Sequence, residues 1–255
     1  MWTTRVVVFY ILTFVFTIVL GGIQEAAGLP QTSIILPQWA PGLAGLAMLV
    51  IFRKDRLRIT FFDRHVPASR YLLAALIPIG GAVLIYLIYR LFFGAPAAGA
   101  STATPWILLL WFPLGAIGEE LGWRGYLHNR LNADMVGLAS SVIVGTLWAF
   151  WHVGSYQNGA LYTLFFMLLM ISYTVVIYAL VSRIGFNVLV AAIFHLMINV
   201  ANLFSYAVVN RVDFLMVSSL VWAAIAIVVV LTRKPLFGIG QSAERNEDGS
   251  RNHHA

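Results

Sequence analysis

The stretch WILLLWFPLGAIGEELGWRGYLHNRL, residues 106–131, is apolar enough to cross a bilayer, yet it brings Glu119, Glu120 and Arg124 within six positions. About 20 predominantly apolar residues span a hydrocarbon core, and ionisable groups at that depth normally face a bundle interior and pair with one another. The segment therefore reads as a membrane-crossing helix that carries a polar centre. Glu120 and Arg124 are four apart, so they share a helix face and can form an ion pair. Glu119 is rotated about 100° from Glu120, and the residue four beyond it is Trp123, which cannot neutralise it. A carboxylate left without a counter-charge in apolar surroundings suits general-base work. The plainer reading is that both glutamates serve packing around Arg124.

The rest of the chain agrees with a membrane setting. It has 255 residues, 60% of them hydrophobic and only 10% charged, with a mean hydropathy of +0.86. Ten acids and sixteen Lys+Arg are too few to solvate the surface of a soluble domain this long. Without cysteine there is no disulfide framework, cysteine nucleophile or thiolate zinc site. The net charge of +6 does not point to nucleic acid, because the basic residues fall in a few short loops between apolar runs.

Apolar spans are expected at residues 6–23, 34–52, 71–93, 106–131, 136–152, 161–181, 186–206 and 214–231, an all-α polytopic bundle of about eight helices. Pro37 and Pro41 shorten the second, and Pro78 and Pro113 are expected kink sites. Residues 1–237 are expected to make one transmembrane domain, and the polar segment 238–255 reads as a disordered tail. Arg53, Lys54, Arg56, Arg58, Arg64 and Arg70 lie between spans two and three, with Arg130, Arg183, Arg233 and Lys234 on the same side. Arg90 and Arg211 lie opposite, so both termini are expected in the cytoplasm, in keeping with a bacterial inner membrane.

Away from the loops, the ionisable residues at membrane depth are Glu119, Glu120, Arg124, His152 and His195. His152 ends TLWAFWH, on one face with Trp148; taken alone it reads as an interfacial histidine. His195 and Asn199, in FHLMIN, project together from an apolar span, where interhelical hydrogen bonding is the ordinary role of such a pair. Jointly, a glutamate, two histidines and an amide donor on three helices make a hydrolytic centre.

The motifs Glu119-Glu120-Leu121-Gly122-Trp123-Arg124, Trp148-Ala149-Phe150-Trp151-His152 and His195-Leu196-Met197-Ile198-Asn199 resemble those of the intramembrane CAAX-protease and bacteriocin-processing (CPBP) family, also called the abortive-infection (Abi) family. The resemblance covers about residues 104–205 and departs at Trp148, where that family usually has phenylalanine. It implies an intramembrane endopeptidase in which Glu119 and His152 activate a water while His195 and Asn199 stabilise the oxyanion. Glu120 and Arg124 would shape and balance the site. The implied partners are membrane lipids and a membrane-associated peptide or protein substrate, prenylated or not.

The family has been described both as metal-dependent and as glutamate-dependent. Zinc would be held by Glu119, His152 and His195, since three ligands and an open position suit catalytic zinc. No His-Glu-x-x-His helix is present, and His195 keeps company with Asn199, so no metal is the favoured expectation. There is no Gly-x-Ser-x-Gly elbow, and Asp134 and Asp213 are expected in loops rather than as a membrane aspartate pair. The alternative is a non-catalytic membrane protein, an immunity factor or proton-coupled transporter, that uses the same polar centre as a relay.

Overall fold

The computed structural model describes residues 2–30, 34–94, 106–204, 208 and 210–239, and among these the chain is all-helical without strands. The helices are α1 (Trp2–Ala26), α2 (Ala40–Ile51), α3 (Ala68–Phe93), α4 (Trp106–Glu120), α5 (Asn129–Asn132), α6 (Gly137–Trp151), α7 (Ala160–Val181), α8 (Val188–Phe204) and α9 (Val212–Thr232). Four helical stretches, Trp2–Ala26, Ala68–Phe93, Ala160–Ile184 and Val212–Thr232, are long and apolar enough to cross a membrane by length and composition. Leu36–Ile51, Gly137–Trp151 and Val188–Leu203 are shorter apolar helices. The second expected span is thus a short one. Pro37 starts a 3₁₀ turn at Leu36–Trp39, and Pro41 sits in the first turn of α2, where a missing N–H costs no helical bond.

The expected tail begins beyond a 3₁₀ turn at Lys234–Phe237, and residues 240–255 lie outside the described residues. Asp213 is not in a loop, as the sequence suggests. It occupies the first turn of α9, where a carboxylate favours the helix dipole. It bonds Arg211, Tyr89 and the Phe214 N–H.

The segment 106–131 is not one regular helix. At Glu120, α4 gives way to a π-helix, Leu121–His128, which runs into α5. Such wider turns are rare and are frequent at functional sites. Here the π-helix coincides with close backbone contact against the 3₁₀ turn and α2. A Cβ on Gly118 would stand 2.9 Å from the Gln38 carbonyl oxygen, and one on Gly122 only 2.1 Å from that of Pro41. Only glycine permits that approach, the small-residue packing common between membrane helices. The Gly118-xxx-Gly122 spacing is what seats the 3₁₀ turn against the end of α4.

Aromatic packing holds the other faces. Phe9 of α1 stacks on Tyr126 and meets Trp123 edge-on, both with ring centroids at 5.5 Å. Trp222 of α9 packs against Tyr173 of α7 at 4.8 Å and Phe194 of α8 at 5.7 Å. A Cβ on Gly81 of α3 would fall 2.7 Å from the Trp222 ring. The start of α8 is secured twice: Asn187 Oδ1 accepts from the Val190 N–H at 3.0 Å, an N-terminal cap, and the Val188 and Leu189 N–H groups donate to Thr60 and Phe61 carbonyls. That anchorage sets the axial position of His195 and Asn199.

Candidate active site

Three helical segments meet around Glu120. Its Oε1 accepts from Arg124 Nη1 at 2.8 Å, the ion pair expected one turn along the helix. The same oxygen accepts from His195 Nδ1 at 2.9 Å. Glu120 and Arg124 are fully buried, and leaving either unpartnered would be costly. Arg124 is further tied to Thr174 Oγ1 of α7 at 3.1 Å, and its guanidinium lies 4.2 Å from the centroid of the Trp148 ring, a cation–π contact. With Nδ1 donating to a carboxylate, the reactive face of His195 is Nε2.

Glu119 has two hydrogen-bond partners of its own. Neither His152, His195 nor Asn199 bonds it. Trp148 Nε1 donates to Oε2 at 2.8 Å, and Gln38 Nε2 donates to Oε1 at 3.3 Å. Trp148, where the resembled family usually has phenylalanine, is a hydrogen-bond donor here, a property phenylalanine lacks. Gln38, Trp111 and Thr174 were absent from the sequence reading. The one cue for Gln38 is a polar residue between Pro37 and Pro41, where a helix could not have been regular.

His152 lies at the end of α6, which stops at Trp151 and continues as a 3₁₀ turn, Val153–Asn158. Its Nδ1 is 2.8 Å from the Trp148 carbonyl, so Nδ1–H donates to one of the carbonyls a helix end leaves open. That selects the tautomer in which Nε2 accepts. The ring is enclosed by Trp151 at 5.0 Å and Phe166 at 5.3 Å.

A cavity of about 340 Å³ joins these parts. Trp148, His152, His195 and Asn199 line it, with Asn202 and Asn210 adding amides and Tyr173 and Trp222 an apolar wall. Glu119 is only 2% exposed, and Trp148 links its carboxylate to the cavity wall. The structure thus brings His152, His195 and Asn199 to one cavity, with Glu119 one hydrogen bond removed.

Among the described residues, no three His, Asp or Glu side chains converge so that they could hold a metal ion. Glu119, His152 and His195 do not form such a group in this arrangement.

The fold and the site define a polytopic helical membrane protein with a buried, charged centre beside a cavity of mixed polar and apolar lining. Residues 101–201 match the family model described as Rce1-like, type II CAAX prenyl endopeptidase. Lysostaphin resistance protein A of Staphylococcus haemolyticus is 23% identical over 218 residues, 81% of this chain and 58% of that protein. CAAX prenyl protease 2 of Methanococcus maripaludis is 28% identical over 135 residues, 48% of this chain and 47% of that protein. The chain spans about half the length of the curated relatives it matches. Over residues 101–201 the chain is similar to the Rce1-like CAAX prenyl endopeptidase family, and its four long apolar helices support an integral membrane protein.

Proposed function

We propose that the chain is an intramembrane endopeptidase that hydrolyses a peptide bond of a membrane-associated substrate, with glutamate-dependent, metal-free chemistry. The observation that carries the reading is the shared cavity: His152, His195 and Asn199 face one space, and Trp148 connects it to a buried carboxylate. In this scheme a water enters between His152 Nε2 and Glu119. Glu119 takes its proton as the oxygen attacks the carbonyl carbon, and His152 holds the water by accepting its second hydrogen. The carbonyl π electrons pass to oxygen, where His195 Nε2 and the Asn199 amide donate hydrogen bonds, the contribution preorganised donors make best. Collapse breaks the C–N bond, and Glu119 returns the proton to the leaving amine. Glu120 holds His195 through Nδ1 and balances the positive charge the ring carries when both its nitrogens donate, while Arg124 shares the same carboxylate oxygen. The family match supports a CAAX-like C-terminal substrate, and the bacterial inner membrane with both termini cytoplasmic is the proposed location.

The experiment is comparative membrane proteomics of cells carrying the wild-type or the Glu119→Ala chain, with termini identified by mass spectrometry. A longer precursor of a membrane-associated protein should accumulate in the variant. His152→Ala should accumulate the same precursor. Identical termini in wild-type and variant cells, with both proteins folded in the membrane, would refute the proteolytic reading.

A further inference from the structure

One more contact reaches the proposed base, from outside the residues 101–201 that match the family. Gln38, in the 3₁₀ turn before α2, reaches Glu119 Oε1 with Nε2 at 3.3 Å and receives Trp111 Nε1 on Oε1 at 3.0 Å. An indole N–H can only donate. Trp111 therefore sets which way the Gln38 amide faces: the oxygen turns to the indole and the NH₂ to the carboxylate. A flipped amide would place two donors against each other at Trp111 and two acceptors against each other at Glu119.

The surrounding backbone is shaped to this arrangement. A Cβ on Gly115 would fall 2.2 Å from Gln38 Oε1, so the amide occupies the space that any other residue at 115 would fill. Trp111, Gly115 and Glu119 succeed one another at four-residue steps on α4, so one face of one helix orients the amide, makes room for it and receives it. On the other side Trp148 Nε1 donates to Oε2. The carboxylate is held between two donors, one on each oxygen, which leaves a lone pair on each for a water.

We infer that Gln38 is a positioning residue for Glu119, oriented by Trp111, and that the catalytic centre extends beyond the family motifs into the 3₁₀ turn. The inference rests on the reading of Glu119 as the base. Loss of the Gln38 donor frees the carboxylate to rotate about the Trp148 bond, which misplaces the base without removing substrate contacts. Turnover then falls while substrate binding stays, because misplacing a reacting group by about 1 Å can cost 10²-fold.

Two readouts test this. In the protein labelled with ¹⁵N-tryptophan in micelles, with peaks assigned by single Trp→Phe variants, Gln38→Met should shift the Trp111 indole N–H resonance upfield, whereas Gln38→Glu should leave Trp111 hydrogen-bonded. On the precursor found by proteomics, both variants should lower kcat by about 10- to 100-fold with KM within about twofold. Gln38→Glu serves if Gln38→Met fails to fold, since it keeps the size and the bond to Trp111. An unmoved Trp111 resonance in Gln38→Met, or wild-type kcat in Gln38→Glu, would overturn the inference. Turnover surviving Glu119→Ala would instead sink the assignment of the base, a separate result.

Discussion

The indole nitrogen of Trp148 lies 2.8 Å from Oε2 of Glu119, while the same ring stacks under the Arg124 guanidinium. One side chain thereby couples the proposed base to the ion pair on the neighbouring helix turn and walls the cavity. Trp148→Phe keeps the wall and removes the donor. A buried acceptor that loses its partner costs about 1–3 kcal/mol, so the thermal midpoint in detergent should fall by several degrees and turnover by about tenfold. Trp148→Ala, which also opens the wall, should be worse on both counts. Equal melting of Trp148→Phe and wild type would mean that the bond carries no stability.

Glu119 and Glu120, adjacent in sequence, should separate cleanly by stability. Glu120 Oε1 is shared by Arg124 and His195, so Glu120→Ala strands a buried guanidinium, a loss of about 3–5 kcal/mol. Glu119 bonds only neutral donors, and Glu119→Gln retains size and partial hydrogen bonding. Melting curves should place Glu120→Ala far below wild type and Glu119→Gln near it, with Glu119→Gln inactive in cleavage. The reverse order of stabilities would contradict the pairing.

Backbone proximity at Gly122 makes a third prediction. Its added Cβ would meet the Pro41 carbonyl at 2.1 Å, whereas one on Gly80 meets nothing within 4 Å. Gly122→Ala should push α2 and the π-helix apart, cost at least the roughly 1–3 kcal/mol of overpacking, and shift the Trp111 indole resonance by moving Gln38. Gly80→Ala should melt like wild type. A well-folded, fully active Gly122→Ala protein would show that the close approach is dispensable.

At the loop side, Asp55 accepts from Arg5 Nη2 at 2.6 Å and lies 3.6 Å from Arg130, which also pairs with Asp134 at 2.9 Å. The hydrogen bond from Arg5, opposed by partial burial, holds the Asp55 carboxyl below its ordinary range. A depressed carboxylate stabilises the fold above its unfolded value of about 3.9 and loses that contribution as pH falls through the lower folded value. Asp55→Asn should therefore lower the midpoint at pH 7 by about 2–4 °C, an ion-pair effect of about 1 kcal/mol. The difference from wild type should close below pH 4. A gap that persists in acid would assign the effect to packing.

The metal-free reading has its own check. Elemental analysis of protein purified without chelator should find zinc well below one per chain, and chelator should leave cleavage of the precursor unchanged. Stoichiometric zinc, with activity lost to chelator and restored by zinc, would replace the proposed chemistry.

What the sequence determined by itself is what short-range geometry controls. Apolar length marked the helices, prolines shortened the second span, and the four-residue step from Glu120 to Arg124 made their ion pair legible, because helical periodicity fixes neighbours one turn apart. The rarity of charge in apolar runs also singled out Glu119, His152 and His195. Only the tertiary structure decided who partners whom across helices. His195 turned to Glu120, and Glu119 to Trp148 and Gln38. A π-helix also replaced regular helix after Glu120. Those outcomes depend on how closely backbones approach at Gly118 and Gly122 and on the axial anchoring of α8 by Asn187. Such contacts are set by packing between segments far apart in the chain, which no local periodicity encodes.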